Sequence, residues 1–361
     1  MVRVGIVGTS WWADSMYLPA LKQHPQAEVA AVCGRDYERL QDFAERWSIP
    51  CTYTDYRHMI DDGEIDAVII ATINDSHYPI TLYALDAGLH VLCDKPLALN
   101  ARDAQEMAAI ARQKGVKTMT PFTYRYMPTT RYVKQLLDEG YIGKPYHLNM
   151  RYYTGYGRES KYDWRFDADV AGSGVIGDLG SHWFHLARWF YGEITGLSCY
   201  SDTLIQRPNR PPEDFDYQRA EDTALITVRF ANGAYGSLHV TTVCWEGTHF
   251  GQTHHMEFHG SQGTLYNHID WETVQEVTGC KAGEAPHALP VPDSIWNGAR
   301  QDTVHNTYRD VFRKQDNMTR AFITAIAEGR DCTPDFAEGA RVQQLVDAAV
   351  ESAKTRCWVD V

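Results

Sequence analysis

The sequence VRVGIVGTSWWA at residues 2–13 decides the fold, because a strand-like apolar run leads through a glycine-containing turn into a helical pattern. A tight turn at this position presents backbone N–H groups and the helix dipole to a pyrophosphate. Aligned from Gly8, the turn reads G-x-S-x-x-A, with Ser10 where the dinucleotide-binding fingerprint has its second glycine. We predict that a dinucleotide binds at this turn, through Gly8, Thr9, Ser10, Trp11 and Trp12; an ordinary strand-to-helix turn is the structural alternative.

The first third of the chain alternates buried strands with helices. Continuous apolar or β-branched runs, typical of strands buried on both faces, occur at residues 2–7, 29–32, 67–72, 90–93 and 117–119. Between the last two runs, Asn100 can cap a helix that extends to Lys114 and that Gly115 ends. Repeated strand–helix–strand units predict a doubly wound parallel sheet of the Rossmann type over residues 1–122.

The remainder of the chain, residues 123–361, has a different pattern. Its β-rich runs often alternate apolar with polar residues, at 146–153, 223–230, 235–243 and 255–258, and residues 231–233 mark a hairpin turn. Stretches 206–217 and 279–300 read as long loops, and 336–354 reads as a closing helix that can pack back on the first domain. We predict an α+β domain with a large, open, mainly antiparallel sheet.

Composition excludes several classes of protein. The 361 residues carry a formal charge of −13, which disfavours nucleic acid and anionic membranes as partners. No apolar run approaches the ~20 residues that cross a bilayer, and the N-terminus enters a strand without the features of an export signal. Eight cysteines scattered singly indicate buried thiols rather than disulfides or zinc ligands. A cytoplasmic enzyme is expected.

The end of the second strand bears on the choice of dinucleotide. An NAD-preferring site usually has an acid there to hold the ribose 2′-hydroxyl, but the sequence has Gly34, followed by Arg35 and Asp36. Without the carboxylate, Arg35 can accommodate a 2′-phosphate through a charge-assisted contact. The sequence therefore favours NADP(H) over NAD(H), although Arg35 can equally pair with Asp36 at the surface.

Three stretches read together identify a family. ATINDSH at 71–77, GLHVLCDKP at 88–96 and GDLGSH at 177–182 resemble the Gfo/Idh/MocA oxidoreductases, named after glucose-fructose oxidoreductase, inositol dehydrogenase and a rhizopine-catabolism protein. The resemblance extends over nearly the whole chain, including FTYR at 122–125 and the pair Trp164 and Arg165.

The resemblance implies a set of site residues. The family's catalytic lysine corresponds to Lys95, preceded here by Asp94 where the family has glutamate, and its Asp-x-x-x-His pair corresponds to Asp178 and His182. A third acid that commonly follows is replaced by His185. The residues that the resemblance places along the dinucleotide are Thr72, Asn74, His77, Asp94, Lys95 and Arg165.

Chemistry supports these roles independently of the family. If residues 177–191 are helical, Asp178 and His182 lie on one face and can project into one cleft. Oxidising a secondary alcohol requires a base as the hydride leaves, and histidine titrates near neutral pH, so His182 suits that role. Lys95 can polarise the same oxygen, and which of the two takes the proton stays open.

Two structural alternatives remain for the pair. His182 can be a core histidine among aromatic neighbours, and Asp178, His182 and His185 can form a metal triad on one helix face. Because hydride transfer needs no metal here, we predict none.

A segment rich in tyrosine, residues 151–165, can stack on a sugar ring and bind its hydroxyls, although half of these tyrosines can instead face the core. We predict that Lys95, Tyr124, Tyr153, Asp178 and His182 bind the substrate. The predicted function is NAD(P)-dependent hydride transfer to or from a sugar, cyclitol or related polyol. A dinucleotide-binding sensor without catalysis and a reductase of a non-sugar carbonyl or imine are the alternatives, and the open sheet predicts a homodimer or homotetramer.

Overall fold

The computed structural model describes residues 1–212, 214–245 and 251–361. The chain divides by its contacts into two compact units. The first unit comprises Met1–Phe122 and Arg309–Gln343, and the second comprises Thr123–Tyr308 and Gln344–Val361.

The strands, in chain order, are β1 (Val2–Val7), β2 (Ala27–Cys33), β3 (Cys51–Tyr53), β4 (Ala67–Ile70), β5 (His90–Cys93), β6 (Thr118–Met119), β7 (Pro145–Tyr153), β8 (Ile194–Asp202), β9 (Thr223–Phe230), β10 (Tyr235–Thr241), β11 (Thr253–Gly260), β12 (Gly263–Asp270), β13 (Val274–Lys281), β14 (His287–Ala288) and β15 (Val359–Asp360). The α-helices are α1 (Leu18–Lys22), α2 (Tyr37–Trp47), α3 (Tyr56–Asp61), α4 (His77–Asp86), α5 (Ala101–Lys114), α6 (Pro128–Asp138), α7 (Ala168–Ala171), α8 (Ser181–Tyr191), α9 (Asp293–Trp296), α10 (Val304–Arg313), α11 (Thr319–Glu328) and α12 (Phe336–Thr355). Single π-helical turns at Ala13–Tyr17 and Ile176–Gly180 precede α1 and α8.

The sheet of the first unit is parallel throughout, in the order β3-β2-β1-β4-β5-β6. All four residues of β4 are buried, as expected for a strand covered on both faces. The chain proceeds outward from β1 in one direction and resumes at β4 on the other side of β1. The carboxyl ends of β1 and β4 therefore form the switch point at which doubly wound sheets bind ligands.

Local sequence signals act as predicted around α5. The side chain of Asn100 accepts a hydrogen bond from the backbone N–H of Asp103 (3.0 Å), which satisfies a donor at the start of the helix. Gly115 ends the helix with a positive φ of 68°. Met107 and Ala104 then pack in the core with Val68 and Val91 of the sheet.

The sheet of the second unit has the order β14-β13-β12-β11-β7-β10-β9-β8-β15. Its neighbours pair antiparallel except β7 and β10, which are parallel. The predicted hairpin turn joins β9 to β10, where Gly233 has φ 86° and the N–H of Phe230 donates to the carbonyl of Ala234. The predicted fold class, a doubly wound parallel sheet plus a mainly antiparallel open sheet, is confirmed.

The two faces of this second sheet differ. On β7, Leu148, Met150 and Tyr152 are buried, and α6 and α8 pack on this inner face. The alternate residues of β7, at positions 147, 149, 151 and 153, are half-buried on what we term the outer face.

Several sequence expectations need correction. Residues 279–300 do not form one long loop, because β13 continues to Lys281 and the stretch also contains β14 and α9. None of the eight cysteines, all of which lie within the described ranges, forms a disulfide. Only Cys33 and Cys93 are buried, whereas Cys51 and Cys357 are exposed and the other four are half-buried, so the expectation of buried thiols is wrong for most of them. Within the described ranges, no helix has the length and apolar character needed to cross a membrane.

Candidate active site

The turn after β1 brings backbone into close contact. Gly8 adopts φ 107°, and a Cβ built on it would lie 2.4 Å from the carbonyl oxygen of Ala71, so only glycine fits. The Gly8 N–H donates to the carbonyl of Cys33 (2.9 Å). The hydroxyl of Ser10 accepts from the N–H of Ala13 (3.2 Å) and caps the helix start, while Trp11 is 71% exposed. The residues present therefore fit a dinucleotide turn, since a glycine keeps the backbone accessible and a helix starts beside it.

A cleft of about 480 Å³ adjoins this turn, between it and the start of α2. A Cβ on Gly34 would lie 3.1 Å from Cγ2 of Thr9, which leaves little room for a longer side chain at the end of β2. Asp36 caps α2 by accepting from the N–H of Arg39 (3.1 Å). The guanidinium of Arg39 lines the cleft and donates to the carbonyl of Thr9 (2.5 Å), whereas Arg35 is exposed. Sequence analysis missed Arg39, because its reach back to the turn depends on how α2 packs.

The segment after β4 is held by a buried histidine. The Nδ1 atom of His77 lies 2.9 Å from the carbonyl oxygen of Pro96, and its Nε2 lies 3.3 Å from that of Thr72. Burial lowers the pKa of His77 to about 4, so the ring is neutral and its single N–H donates to one carbonyl, the nearer being Pro96. Asn74 is also buried. His77 thus connects the turn after β4 to the segment that carries Lys95.

Lys95 is the second residue after the end of β5 and is half-buried. Its neighbour Asp94 donates its backbone N–H to the carbonyl of Ile70 (3.0 Å) and accepts a hydrogen bond from the hydroxyl of Tyr17 (2.5 Å). Burial, and then the charge of Asp94, raises the pKa of Tyr17 well above its ordinary value, so the phenol keeps its proton. Sequence analysis missed Tyr17. A π-helical turn brings its hydroxyl to Asp94, and the periodicity of the sequence does not predict such a turn.

In the second unit, two side chains contact the carboxylate of Asp178. The Tyr156 hydroxyl donates to Oδ2 of Asp178, and Nε of Arg165 lies 3.7 Å from the same oxygen. Burial and the Asp178 charge raise the pKa of Tyr156 well above its usual range. Arg165 also stacks over Trp164, 4.6 Å from its ring centroid. Arg165, which was predicted to lie along the dinucleotide, therefore pairs with Asp178, which was predicted to be catalytic.

His182 occupies the first turn of α8 and is buried against aromatic rings. Its ring centroid lies 4.6 Å from that of Tyr124, whose hydroxyl shares a 2.6 Å hydrogen bond with Tyr152. Burial raises the pKa of both tyrosines well above ordinary values. Asp178 lies in the π-helical turn that precedes α8. The four-residue spacing between Asp178 and His182 therefore crosses from a π-helical turn into an α-helix. Tyr124 and His182, both predicted to bind the substrate, therefore contact each other directly.

Tyr153, a predicted substrate-binding residue, and His185, a considered metal ligand, have other partners. The hydroxyl of Tyr153 bonds to Nδ1 of His239 (2.6 Å) on the outer face, because strand alternation sends Tyr152 inward and Tyr153 outward. Its position does not support a role beside His182. Nε2 of His185 lies 3.4 Å from the guanidinium of Arg125, and no group of three or more His, Cys, Asp or Glu able to hold a metal occurs in the described part of the chain.

Comparison with known proteins supports the identification of both units. Residues 2–122 match the family model described as an oxidoreductase family with an NAD-binding Rossmann fold, and residues 130–266 match the model of the GFO/IDH/MocA C-terminal domain. Levoglucosan dehydrogenase of Pseudarthrobacter phenanthrenivorans is 29% identical over 357 residues, which covers 90% of this chain and 87% of that protein. Trans-1,2-dihydrobenzene-1,2-diol dehydrogenase of Mus musculus is 35% identical over 330 residues, covering 87% of this chain and 89% of the mouse protein.

Solved structures are also similar to this chain over both units. A levoglucosan dehydrogenase in complex with NADH and levoglucosan superimposes with a TM-score of 0.87 at 27% identity, covering 100% of this chain and 99% of that one. The likeness therefore extends over both units.

Proposed function

Because this chain belongs to the Gfo/Idh/MocA family of oxidoreductases, its chemistry is hydride transfer with a nicotinamide dinucleotide, and we propose that the hydride comes from a hydroxyl-bearing ring carbon of a sugar, cyclitol or related polyol. The observation that carries the proposal is the similarity over both units to a dehydrogenase solved with NADH and levoglucosan. The mouse relative is named for a cyclic diol. A ring carbon bearing a secondary hydroxyl is common to both compounds, which favours this substrate class over open-chain carbonyls and imines.

The cofactor that we propose is NADP(H), bound in preference to NAD(H). Gly34 provides no carboxylate at the end of β2, and the carboxylate of Asp36 is engaged as the cap of α2. Arg39 supplies positive charge in the cleft, and Arg35 is exposed next to Gly34. A 2′-phosphate would be recognised there by charge-assisted hydrogen bonds from Arg39, whereas Gly34 offers a 2′-hydroxyl no acceptor at the end of β2.

We assign the predicted site residues the following roles. When bound, the dinucleotide supplies the group that accepts or gives the hydride. Lys95 donates a hydrogen bond to the substrate oxygen and stabilises charge that develops on it. His182 removes the hydroxyl proton, and Asp178 binds a neighbouring hydroxyl. Tyr156 and Arg165 support this role of Asp178, because both contact its Oδ2 and so fix the carboxylate.

The test is a panel of ring alcohols, including levoglucosan, glucose, myo-inositol and a cyclic trans-diol, assayed with NADP⁺ and with NAD⁺. The expected result is reduction of the dinucleotide by at least one ring alcohol, faster with NADP⁺. Lys95→Ala and His182→Ala should each lower kcat by about 100-fold or more, the range for loss of an acid–base or charge-stabilising group. A protein that binds dinucleotide but oxidises no member of the panel would instead support the sensor alternative.

We also propose that the chain assembles into a homo-oligomer through the outer face of the second sheet. Large side chains are exposed there on neighbouring strands: Tyr200 is 65% exposed, its cross-strand partner Leu225 is 47% exposed, and Tyr235 is 58% exposed. Light scattering would test this, with Leu225→Lys expected to weaken association. A monomer at all concentrations would contradict it.

A further inference from the structure

One buried hydrogen bond in the first unit bears directly on the segment that carries Lys95. The π-helical turn Ala13–Tyr17 ends with the phenol of Tyr17 fully buried, its oxygen 2.5 Å from Oδ1 of Asp94. The Tyr17 ring also meets Trp12 edge to face, with centroids 6.3 Å apart. Tyr17 therefore connects the dinucleotide-binding turn to the residue immediately before Lys95.

The other neighbour of Lys95 is held independently. His77 contacts the carbonyl of Pro96, and the backbone N–H of Asp94 is bonded to Ile70 of β4. Both flanks of Lys95 are therefore anchored, one through the Asp94 side chain and one through the Pro96 backbone. The Asp94 contact is the more consequential of the two for charge, because it governs where a carboxylate lies beside an ammonium group.

We propose that Tyr17 is a positioning residue for Lys95 that acts through Asp94. This inference rests on the proposed function, in which Lys95 contacts the reacting oxygen. The phenol fixes the orientation of the Asp94 carboxylate and takes up one of its acceptor positions. Without it, the carboxylate can rotate, and its charge no longer holds the adjacent ammonium group in position for the substrate oxygen, since opposite charges at short range attract strongly in a partly buried site.

The first experiment compares Tyr17→Phe with wild type. We expect kcat to fall about tenfold, the scale of one hydrogen bond to a charged group, while the Kd for NADPH changes less than about twofold. The matched control is Tyr83→Phe, which removes another tyrosine–aspartate hydrogen bond of the same unit, to Asp61 (2.7 Å), and should leave kcat unchanged. Unchanged kcat in Tyr17→Phe would overturn the proposal.

A double-mutant cycle separates positioning from general structural support. Asp94→Ala should lower kcat by a similar factor, and adding Tyr17→Phe to it should lower kcat no further, because the path of action is already gone. If Tyr17→Phe lowers kcat equally in both backgrounds, the residue acts structurally and the proposal is wrong. If Tyr17→Phe does not fold, Asp94→Ala alone decides, and an unchanged kcat would refute the inference.

The outcome of Lys95→Ala distinguishes this inference from the proposed function. If Lys95→Ala abolishes turnover while Tyr17→Phe and Asp94→Ala do not impair it, only the positioning role fails. If Lys95→Ala retains full turnover, the proposed function of Lys95 itself fails.

Discussion

The carbonyl oxygen of Ala71 lies where a side chain on Gly8 would begin: a Cβ at Gly8 would stand 2.4 Å from it. This close approach occurs between the turn after β1 and the residue directly after β4, at the switch point of the first sheet. The positive φ of Gly8, 107°, adds a second reason why other residues are excluded.

Gly8→Ala should therefore destabilise the protein by about 3 kcal/mol or more and weaken dinucleotide binding, because backbone strain and steric overlap act together. Thermal unfolding and fluorescence titration with NADPH measure the two effects. Gly88→Ala is the matched control: its φ is 78° with nothing within 4 Å of the new Cβ, so it should cost only about 1 kcal/mol. Equal losses in the two variants would show that the contact with Ala71 is unimportant.

Arg39→Ala should raise the Kd for NADPH about tenfold and leave the Kd for NADH nearly unchanged, because only the former offers a phosphate to the guanidinium. The control is Arg57→Ala, since Arg57 pairs with Asp55 and does not line the cleft. Titration of both dinucleotides against both variants gives the answer. A parallel loss of NADH and NADPH affinity in Arg39→Ala would argue against recognition of the 2′-phosphate.

Tyr156→Phe should lower kcat/KM for the ring alcohol about tenfold, because Asp178 loses a donor that fixes its carboxylate. Dinucleotide affinity should be retained. Tyr162→Phe removes a comparable hydrogen bond, to Asp167 (3.0 Å), and serves as the control with little expected effect. Steady-state kinetics of the two variants would distinguish them, and a similar loss in both would assign the effect to folding of residues 156–167.

Stability should fall in acid partly because of His77. Its pKa is lowered from 6.5 to about 4. Between these two pH values the histidine is protonated in the unfolded chain but neutral in the folded protein. The stability that this neutral ring preserves is present above pH 6.5 and is lost as the pH falls toward 4. Each pH unit is worth about 1.4 kcal/mol, so the loss reaches about 3 kcal/mol.

Denaturant unfolding between pH 7 and pH 4 tests this expectation. The difference in stability between wild type and His77→Gln should shrink in acid, whereas substitution of the exposed His58 by glutamine should give a nearly constant difference. A constant difference for His77→Gln as well would show that the folded protein binds the proton as readily as the unfolded chain does.

The sequence predicted the parts of the fold that depend on local signals, such as apolar runs and helix caps. Continuous apolar runs located β1, β4 and β5, and the cap at Asn100 and the stop at Gly115 bounded α5. The short strand β3 was missed, because its residues are only half-buried or exposed at the sheet edge and carry no clear pattern. The parallel pairing of β7 with β10 could not be predicted, since partners distant in sequence are chosen by packing.

The same division applies to the site. Motifs identified the family, the oxidoreductase class and the dinucleotide-binding fold, all of which are confirmed by the comparisons. Tyr17 and Arg39 became visible only in three dimensions, because a π-helical turn and the packing of α2 direct them to Asp94 and Thr9. Tyr153, which was predicted to bind the substrate, lies on the outer face, because strand alternation directs Tyr152 inward and Tyr153 outward.

The most direct test follows the hydride itself. The protein is incubated with NADP⁺ and a ring alcohol from the active panel that carries deuterium on its hydroxyl-bearing carbons, and the reduced dinucleotide is analysed by mass spectrometry. The account predicts transfer of one deuterium to the nicotinamide, with a rate in Lys95→Ala that is lower than in wild type by about 100-fold or more. Reduced dinucleotide without deuterium, or no reduction with any ring alcohol despite tight dinucleotide binding, would contradict it.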